Sequence, residues 1–262
     1  MAILQLPHAA SADLVLLHVG DSVSAANRNR IQFKSALDAN NIGYNFVGDV
    51  ETPFEDGDID HQSFSGNSLR DVLHGRTRFD EFQAGLIDAI PTHNPTHIML
   101  LGGYNDINQQ AVGSGLSEIK GFFTDIADYV RDNSDAKLVV SNLTDLDPAL
   151  WPRRQNVLDY NAWLADQVEA RANAGQSIAL VDNFSVITAA DRQADGLHLN
   201  GAGQTKVGNN WARAVGVPEP SLAVVCLLLA LFCVMSRSRE DGDYGKSERP
   251  NECTSCRKQA KG

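Results

Sequence analysis

Five short apolar runs, separated by amphipathic stretches, limit the folds open to this chain. Leu14 to Val19, Tyr44 to Val47, His97 to Leu101, Lys137 to Leu143 and Ser177 to Val181 have the length and aliphatic density of buried strands. The intervening segments carry a helical period. Asn29 to Ala39 puts Ile31, Ala36 and Leu37 on one stripe, and Leu116 to Val130 does so with Ile119, Phe122, Phe123, Ile126 and Tyr129. Arg153 to Ala172 repeats it with Val157, Tyr160, Leu164 and Val168, and Ala202 to Val215 reads as a closing helix. Parallel neighbours need crossover connections, so this alternation predicts an α/β fold: a three-layer α/β/α sandwich around a mostly parallel five-stranded sheet.

In such sheets ligands bind beyond the carboxyl ends of the strands, which reduces the search for chemistry to a few loops. The first run ends in Gly20-Asp21-Ser22, and the third enters Gly102-Gly103-Tyr104-Asn105-Asp106. Between the second run and the next helix stands Asp60-His61-Gln62-Ser63-Phe64-Ser65-Gly66-Asn67, and the turn before the last helix holds Asp195-Gly196-Leu197-His198. A dinucleotide reading of the first turn fails, because a phosphate loop needs several glycines and none follows Gly20 until Gly43. Nucleic acid is excluded as a partner on charge. The chain carries a net charge of -11, and its first 235 residues hold 15 Lys+Arg against 28 Asp+Glu, a net -13 that repels phosphate backbones.

Acyl transfer by a serine requires a base within hydrogen-bond reach, a group that orients the base, and donors aimed at the oxygen that becomes negative. Each has a candidate at a strand end. Ser22 is the candidate nucleophile, expected in a tight turn made possible by Gly20 and leading into a helix N-terminus. His198 is the candidate base. Asp195, three residues earlier, would fix its tautomer. The Ser22 backbone N–H, the Gly66 backbone N–H and the Asn105 amide are candidate oxyanion donors. None of these steps calls for a metal or an organic cofactor.

The order Gly20-Asp21-Ser22, Gly66, Gly103-x-Asn105-Asp106 and Asp195-x-x-His198 resembles the four sequence blocks of the SGNH (GDSL-type) hydrolases across nearly the whole globular part. Within that superfamily, "YNFVGDVE", "DIDHQSFSGNSLRDV" and "LDYNAWLADQV" are similar to acetylxylan esterases of carbohydrate esterase family three. The resemblance implies a flavodoxin-like SGNH hydrolase fold and hydrolysis of O-acyl, chiefly O-acetyl, esters of polysaccharide or similar small esters. It also implies Ser22 as nucleophile, His198 as base, Asp195 as its partner, and Ser22, Gly66 and Asn105 as oxyanion donors. Three positions depart from the pattern: Val23, Tyr104 and Leu199 replace, in turn, a leucine or isoleucine, a small polar residue and a proline. Tyr104 is expected to reshape the acyl pocket. A lipid-directed esterase or thioesterase with the same triad, and a carbohydrate-binding module with a decayed site, are the alternatives.

The C-terminal part reads differently. Ser221 to Met235 is a 15-residue run without charge, preceded by Pro218-Glu219-Pro220 and followed by Arg237 and Arg239. "VPEPSLAVVCLLLALFCVMSRSR" resembles the PEP-CTERM sorting signal, which implies an exosortase-type processing enzyme, a membrane contact through residues 221–235, and export to the cell envelope or beyond. Ala10-Ser11-Ala12 has the form of a signal peptidase site, so residues 1–12 are expected to be the remnant of a signal peptide. The expected organisation is thus a hydrolase domain over 13–216, the sorting signal over 217–239, and a polar, disordered tail over 240–262. All four cysteines (Cys226, Cys233, Cys253, Cys256) fall in the last 37 residues, so the hydrolase domain can use no thiol chemistry. The acidic stretch Glu55 to Asp60 offers oxygen ligands for calcium but lacks the sixth-position glycine and closing glutamate of an EF-hand loop, and a solvated loop is the favoured reading. His61, His74, His93 and His97 show no metal-ligand spacing.

Overall fold

The computed structural model describes residues 14–50, 60–78 and 80–217. The strands are β1 (Leu14–Gly20), β2 (Tyr44–Val47), β3 (Gln62–Ser63), β4 (Arg76–Arg78), β5 (Glu81–Gln83), β6 (His97–Leu101), β7 (Lys137–Ser141) and β8 (Ile178–Val181). The α-helices are α1 (Asn27–Ala39), α2 (Leu69–His74), α3 (Leu86–His93), α4 (Tyr104–Gln109), α5 (Ser117–Asn133), α6 (Arg154–Asn173) and α7 (Gly201–Ala214).

The main sheet has the order β2-β1-β6-β7-β8, all parallel, with β3 adding to β1. Chain order reverses at β1: β2 lies on one side of it, and β6, β7 and β8 follow on the other. This is the topological switch point at which a crevice opens beyond the strand ends. Helices α1 and α7 pack together, while α2 packs on α3 and α5, and α5 and α6 meet through Phe123 and Trp163 at 5.7 Å between ring centroids. The sheet is buried because both faces are covered. Leu16, Leu17, Ile98, Met99, Leu101, Leu138 and Val139 are fully shielded from solvent, and each such side chain contributes about 1.5–3 kcal/mol relative to exposure. His18 is a polar residue among them. It packs against Phe33, Phe46 and Trp211, and burial holds its imidazole well below the usual range, so it stays neutral.

The fold and its five central strands follow the sequence reading, with three differences of detail. The seventh strand stops at Ser141 rather than running to Leu143, because the Asn161 side chain takes over the pairing of Leu143, accepting from its N–H at 2.9 Å and donating to its carbonyl at 2.8 Å. The stretch expected as one loop from Asp60 to Asn67 contains β3, whose residues Gln62 and Ser63 pair with Val19 and Gly20 where β2 no longer reaches. A two-stranded antiparallel hairpin, β4–β5, stands apart from the main sheet.

Candidate active site

Three loops leave neighbouring strands at one level. Gly20 at the end of β1 is in register with Ser63 on one side and Leu101 on the other, so the segments beginning at Asp21, Phe64 and Gly102 emerge side by side. Gly20 makes the turn possible. It has φ +150°, and a Cβ there would lie 1.8 Å from the Leu101 carbonyl oxygen, a contact no side chain tolerates. The expected helix N-terminus directly after Ser22 is not found. Ser22 lies in a turn closed by the Ala25 N–H on the Asp21 carbonyl at 2.9 Å, and α1 starts only at Asn27. A helix dipole fades within about one turn, so the α1 terminus adds little at Ser22.

The fourth loop brings the base. Ser22 Oγ is 2.9 Å from His198 Nε2, across 176 residues of sequence. His198 Nδ1 is 2.6 Å from Asp195 Oδ2, and Asp195 Oδ1 accepts the N–H groups of Leu197 and His198 at 3.0 and 2.9 Å. A proton on Nδ1, facing the carboxylate, leaves Nε2 free to accept from the serine hydroxyl. Burial alone would raise the Asp195 carboxyl, but the His198 ring and the two N–H donors outweigh it and hold the group below the usual carboxylate range. The turn depends on Gly196, at φ +71°, whose carbonyl accepts the Asp147 N–H at 3.0 Å. Trp151 Nε1 donates to the Asp195 carbonyl at 2.8 Å, fastening the base-bearing turn to the segment after β7.

The remaining predicted residues lie along the same rim. Phe64 N–H donates to the Gly20 carbonyl at 3.1 Å, which docks the Gly66 loop beside the Ser22 turn. Asn105 Nδ2 donates to the Asn67 carbonyl at 2.9 Å, tying the α4 start to that loop. Among the described residues the N–H groups of Ser22 and Gly66 have no acceptor, and Gly66 is exposed. These donors are therefore available to a ligand.

Asp21 and Asp106 stand within the sequence blocks, but the sequence alone assigns them no role. Asp21, almost fully buried, accepts the N–H groups of Val23 at 3.0 Å and of Gly103 and Tyr104 at 3.3 Å, so it binds the nucleophile turn to the Asn105 loop. Burial pushes its carboxyl up to about 6. Asp106 accepts the Leu69 N–H at 2.9 Å, and burial, with a smaller push from the Asp21 charge, raises it to about 7. Tyr104 does not line an acyl pocket as expected. It is buried, and its hydroxyl pairs with Thr144 Oγ1 at 2.7 Å and accepts the Thr144 N–H at 2.5 Å, bracing the loop after β7. Val23 and Leu199, the other departures, are buried core residues.

The histidines outside the site have local partners or local roles. His61 Nδ1 accepts the Ser63 N–H at 3.1 Å, and burial lowers its imidazole to about 3. His93 meets Asp49 at 3.1 Å, His97 meets Thr96 at 3.0 Å, and His74 closes α2. No group of three or more metal-ligating side chains occurs among the described residues. The acidic stretch Glu55 to Asp60, apart from Asp60, lies outside the described residues, as does the apolar run 221–235; no helix among the described residues is long and apolar enough to cross a membrane.

No protein-family profile matches this sequence. A multidomain esterase of Ruminococcus flavefaciens is 25% identical over 167 residues, which is 60% of this chain and 21% of the esterase; the chain thus spans about a fifth of that relative's length. Among solved structures, a carbohydrate esterase family 3 protein from Talaromyces cellulolyticus superposes with a TM-score of 0.62 at 17% identity, over 77% of this chain and 96% of that one. A family 3 carbohydrate esterase of Clostridium thermocellum gives a TM-score of 0.57 at 24% identity, over 77% and 94%. The fold is that of these carbohydrate esterases.

Proposed function

We propose that this chain is a serine ester hydrolase that removes acyl groups, acetyl foremost, from a polysaccharide or a similar small ester. The observation that carries the reading is the unbroken relay from Ser22 Oγ through His198 to Asp195, at 2.9 and 2.6 Å. Ser22 attacks the ester carbonyl while His198 Nε2 takes its proton, and Asp195 stabilises the imidazolium that forms. The carbonyl oxygen, now negative, receives the N–H groups of Ser22 and Gly66 and the Asn105 amide. His198 then protonates the departing alcohol, and a water activated by the same ring releases the acid from the acyl-enzyme. A bulky alcohol suits the openness of the relay: the His198 and Asp195 side chains are 37% and 46% exposed. Carbohydrate as the substrate class is supported by the relatives just described.

Acetate release from a panel of acetylated polysaccharides, run beside p-nitrophenyl acetate and long-chain p-nitrophenyl esters, tests the assignment. Turnover of acetylated glycans and of the short ester supports it. Preference for the long acyl chains would move it to lipid esters, and no turnover of any ester would reject it.

For the C-terminal part the reading is a PEP-CTERM sorting signal over residues 217–239, with an exosortase-type enzyme and the membrane as partners and the cell envelope as destination. It is supported by the Pro-Glu-Pro triplet, the uncharged run from Ser221 to Met235 and the arginines behind it. Intact mass of the protein recovered from its host tests this: loss of the residues after the triplet is expected, and a full-length chain in the cytosol would contradict it.

A further inference from the structure

Two guanidinium groups hold one peptide of the Gly66 loop. Arg76 Nη2 donates to the Ser65 carbonyl at 2.9 Å and Arg76 Nη1 to the Gly66 carbonyl at 2.9 Å, while Arg78 Nη1 also donates to the Ser65 carbonyl. Both arginines belong to β4, where alternate residues share a face, and pairing of Arg76 with Gln83 and Arg78 with Glu81 across the hairpin fixes their spacing. Arg76 is itself braced. Its Nε donates to Gln83 Oε1 at 3.2 Å, and Nη1 lies 3.6 Å from Asp71, which forms a capping box with Ser68 at the start of α2. One planar fork thus reaches Gln83, Ser65 and Gly66 together, a pattern lysine cannot reproduce.

We propose that Arg76 and Arg78 are positioning residues of the oxyanion pocket, which aim and polarise the Gly66 N–H by gripping the carbonyl of the same peptide unit; this rests on the ester hydrolase reading above. In a trans peptide the C=O and N–H point in opposite directions, and no cis bond occurs among the described residues. Pinning the Ser65 carbonyl on the hairpin side therefore turns the Gly66 N–H away from the hairpin. The loop is fixed at its other contacts by Phe64 on the Gly20 carbonyl and by Asn105 on the Asn67 carbonyl, so the peptide plane has little freedom to rotate. Two cationic donors on one carbonyl oxygen also draw density from the amide nitrogen, and charge-assisted bonds of this kind are about twice as strong as neutral ones. A glycine at 66 fits the arrangement, since a Cβ there would sit 3.3 Å from Arg78 Nη1 and 3.6 Å from Arg76 Nη2.

The experiment uses the full chain with Arg76→Ala, Arg76→Lys and Arg78→Ala, reading kcat and KM on p-nitrophenyl acetate, labelling by a serine-directed phosphonate, and folding by circular dichroism. Each substitution is expected to lower kcat about tenfold with KM within about threefold, less than loss of a whole oxyanion donor. Labelling should still reach one phosphonate per chain, but more slowly. Methylguanidine should restore part of the kcat of Arg76→Ala, and Arg76→Lys should remain impaired. Folded variants with kcat within about twofold of the parent would overturn the proposal, as would a loss of activity that only tracks the unfolded fraction. If Arg76→Ala does not fold, Arg78→Ala decides by the same criteria. Absence of labelling in the unsubstituted chain would reject the ester hydrolase reading itself, whereas full labelling with unchanged kcat in the variants rejects the positioning role alone.

Discussion

Asn105 spends one of its two amide N–H groups on the carbonyl of Asn67, at 2.9 Å. That bond fixes the plane of the amide and joins two of the loops that rim the Ser22 turn. It leaves the second N–H for a ligand oxygen, which is what an oxyanion donor needs: a preset direction that costs no reorganisation during reaction.

Asn105→Ala is accordingly expected to lower kcat by about 100- to 1000-fold with a small change in KM. Steady-state kinetics on p-nitrophenyl acetate check this. A loss confined to KM would place Asn105 in ground-state binding instead.

Gly196→Ala tests the turn that carries the base. Its φ of +71° disfavours a side chain, and a Cβ would meet the Asp147 Cβ at 2.6 Å. The substitution should destabilise the fold by about 1–3 kcal/mol, read as a lower midpoint in urea, and should lower kcat by displacing Asp195 and His198.

Trp151→Phe keeps an aromatic side chain but removes the N–H that holds the Asp195 carbonyl. One hydrogen bond of this kind contributes about 0.5–1.5 kcal/mol. A fall in kcat of a few-fold, with the fold intact by circular dichroism, is the expected result.

Asp21 makes a prediction about pH. Its carboxyl titrates at about 6 in the fold, against 3.8 when exposed, because burial disfavours the charge. The folded state therefore holds the proton more tightly, so the associated stability is present below pH 4 and is lost as pH rises through 6. The size is about 3 kcal/mol. In chemical denaturation from pH 4 to 7, Asp21→Asn should flatten this decline, even though its stability at pH 4 is lower. An unchanged slope would assign the pH dependence elsewhere, with Asp106, raised to about 7, the first candidate.

How much of this was legible in the sequence depends on the range of the interaction. Aliphatic runs such as His97 to Leu101 declare buried strands because parallel sheets bury both faces, and Asp195 and His198 were readable as a pair because one turn holds both. The two-residue strand Gln62–Ser63 was not. It exists only because the end of β1 offers it a partner, and no period of two can be seen in two residues. Arg76 and Arg78 look like surface charges until the hairpin sets them against the Ser65 carbonyl. Tyr104 reads as a pocket residue because it replaces a small polar residue of the family pattern, yet one residue along a helix from Asn105 turns the side chain by about 100°, and it meets Thr144 in the interior instead.

The measurement that bears most directly on the account is mass spectrometry of the full chain after exposure to a serine-directed phosphonate, with kcat followed in parallel. One adduct is expected, on Ser22, with activity lost in step, and neither labelling nor turnover in Ser22→Ala. Undiminished ester hydrolysis by Ser22→Ala, or an adduct on another residue that alone abolishes activity, would contradict it.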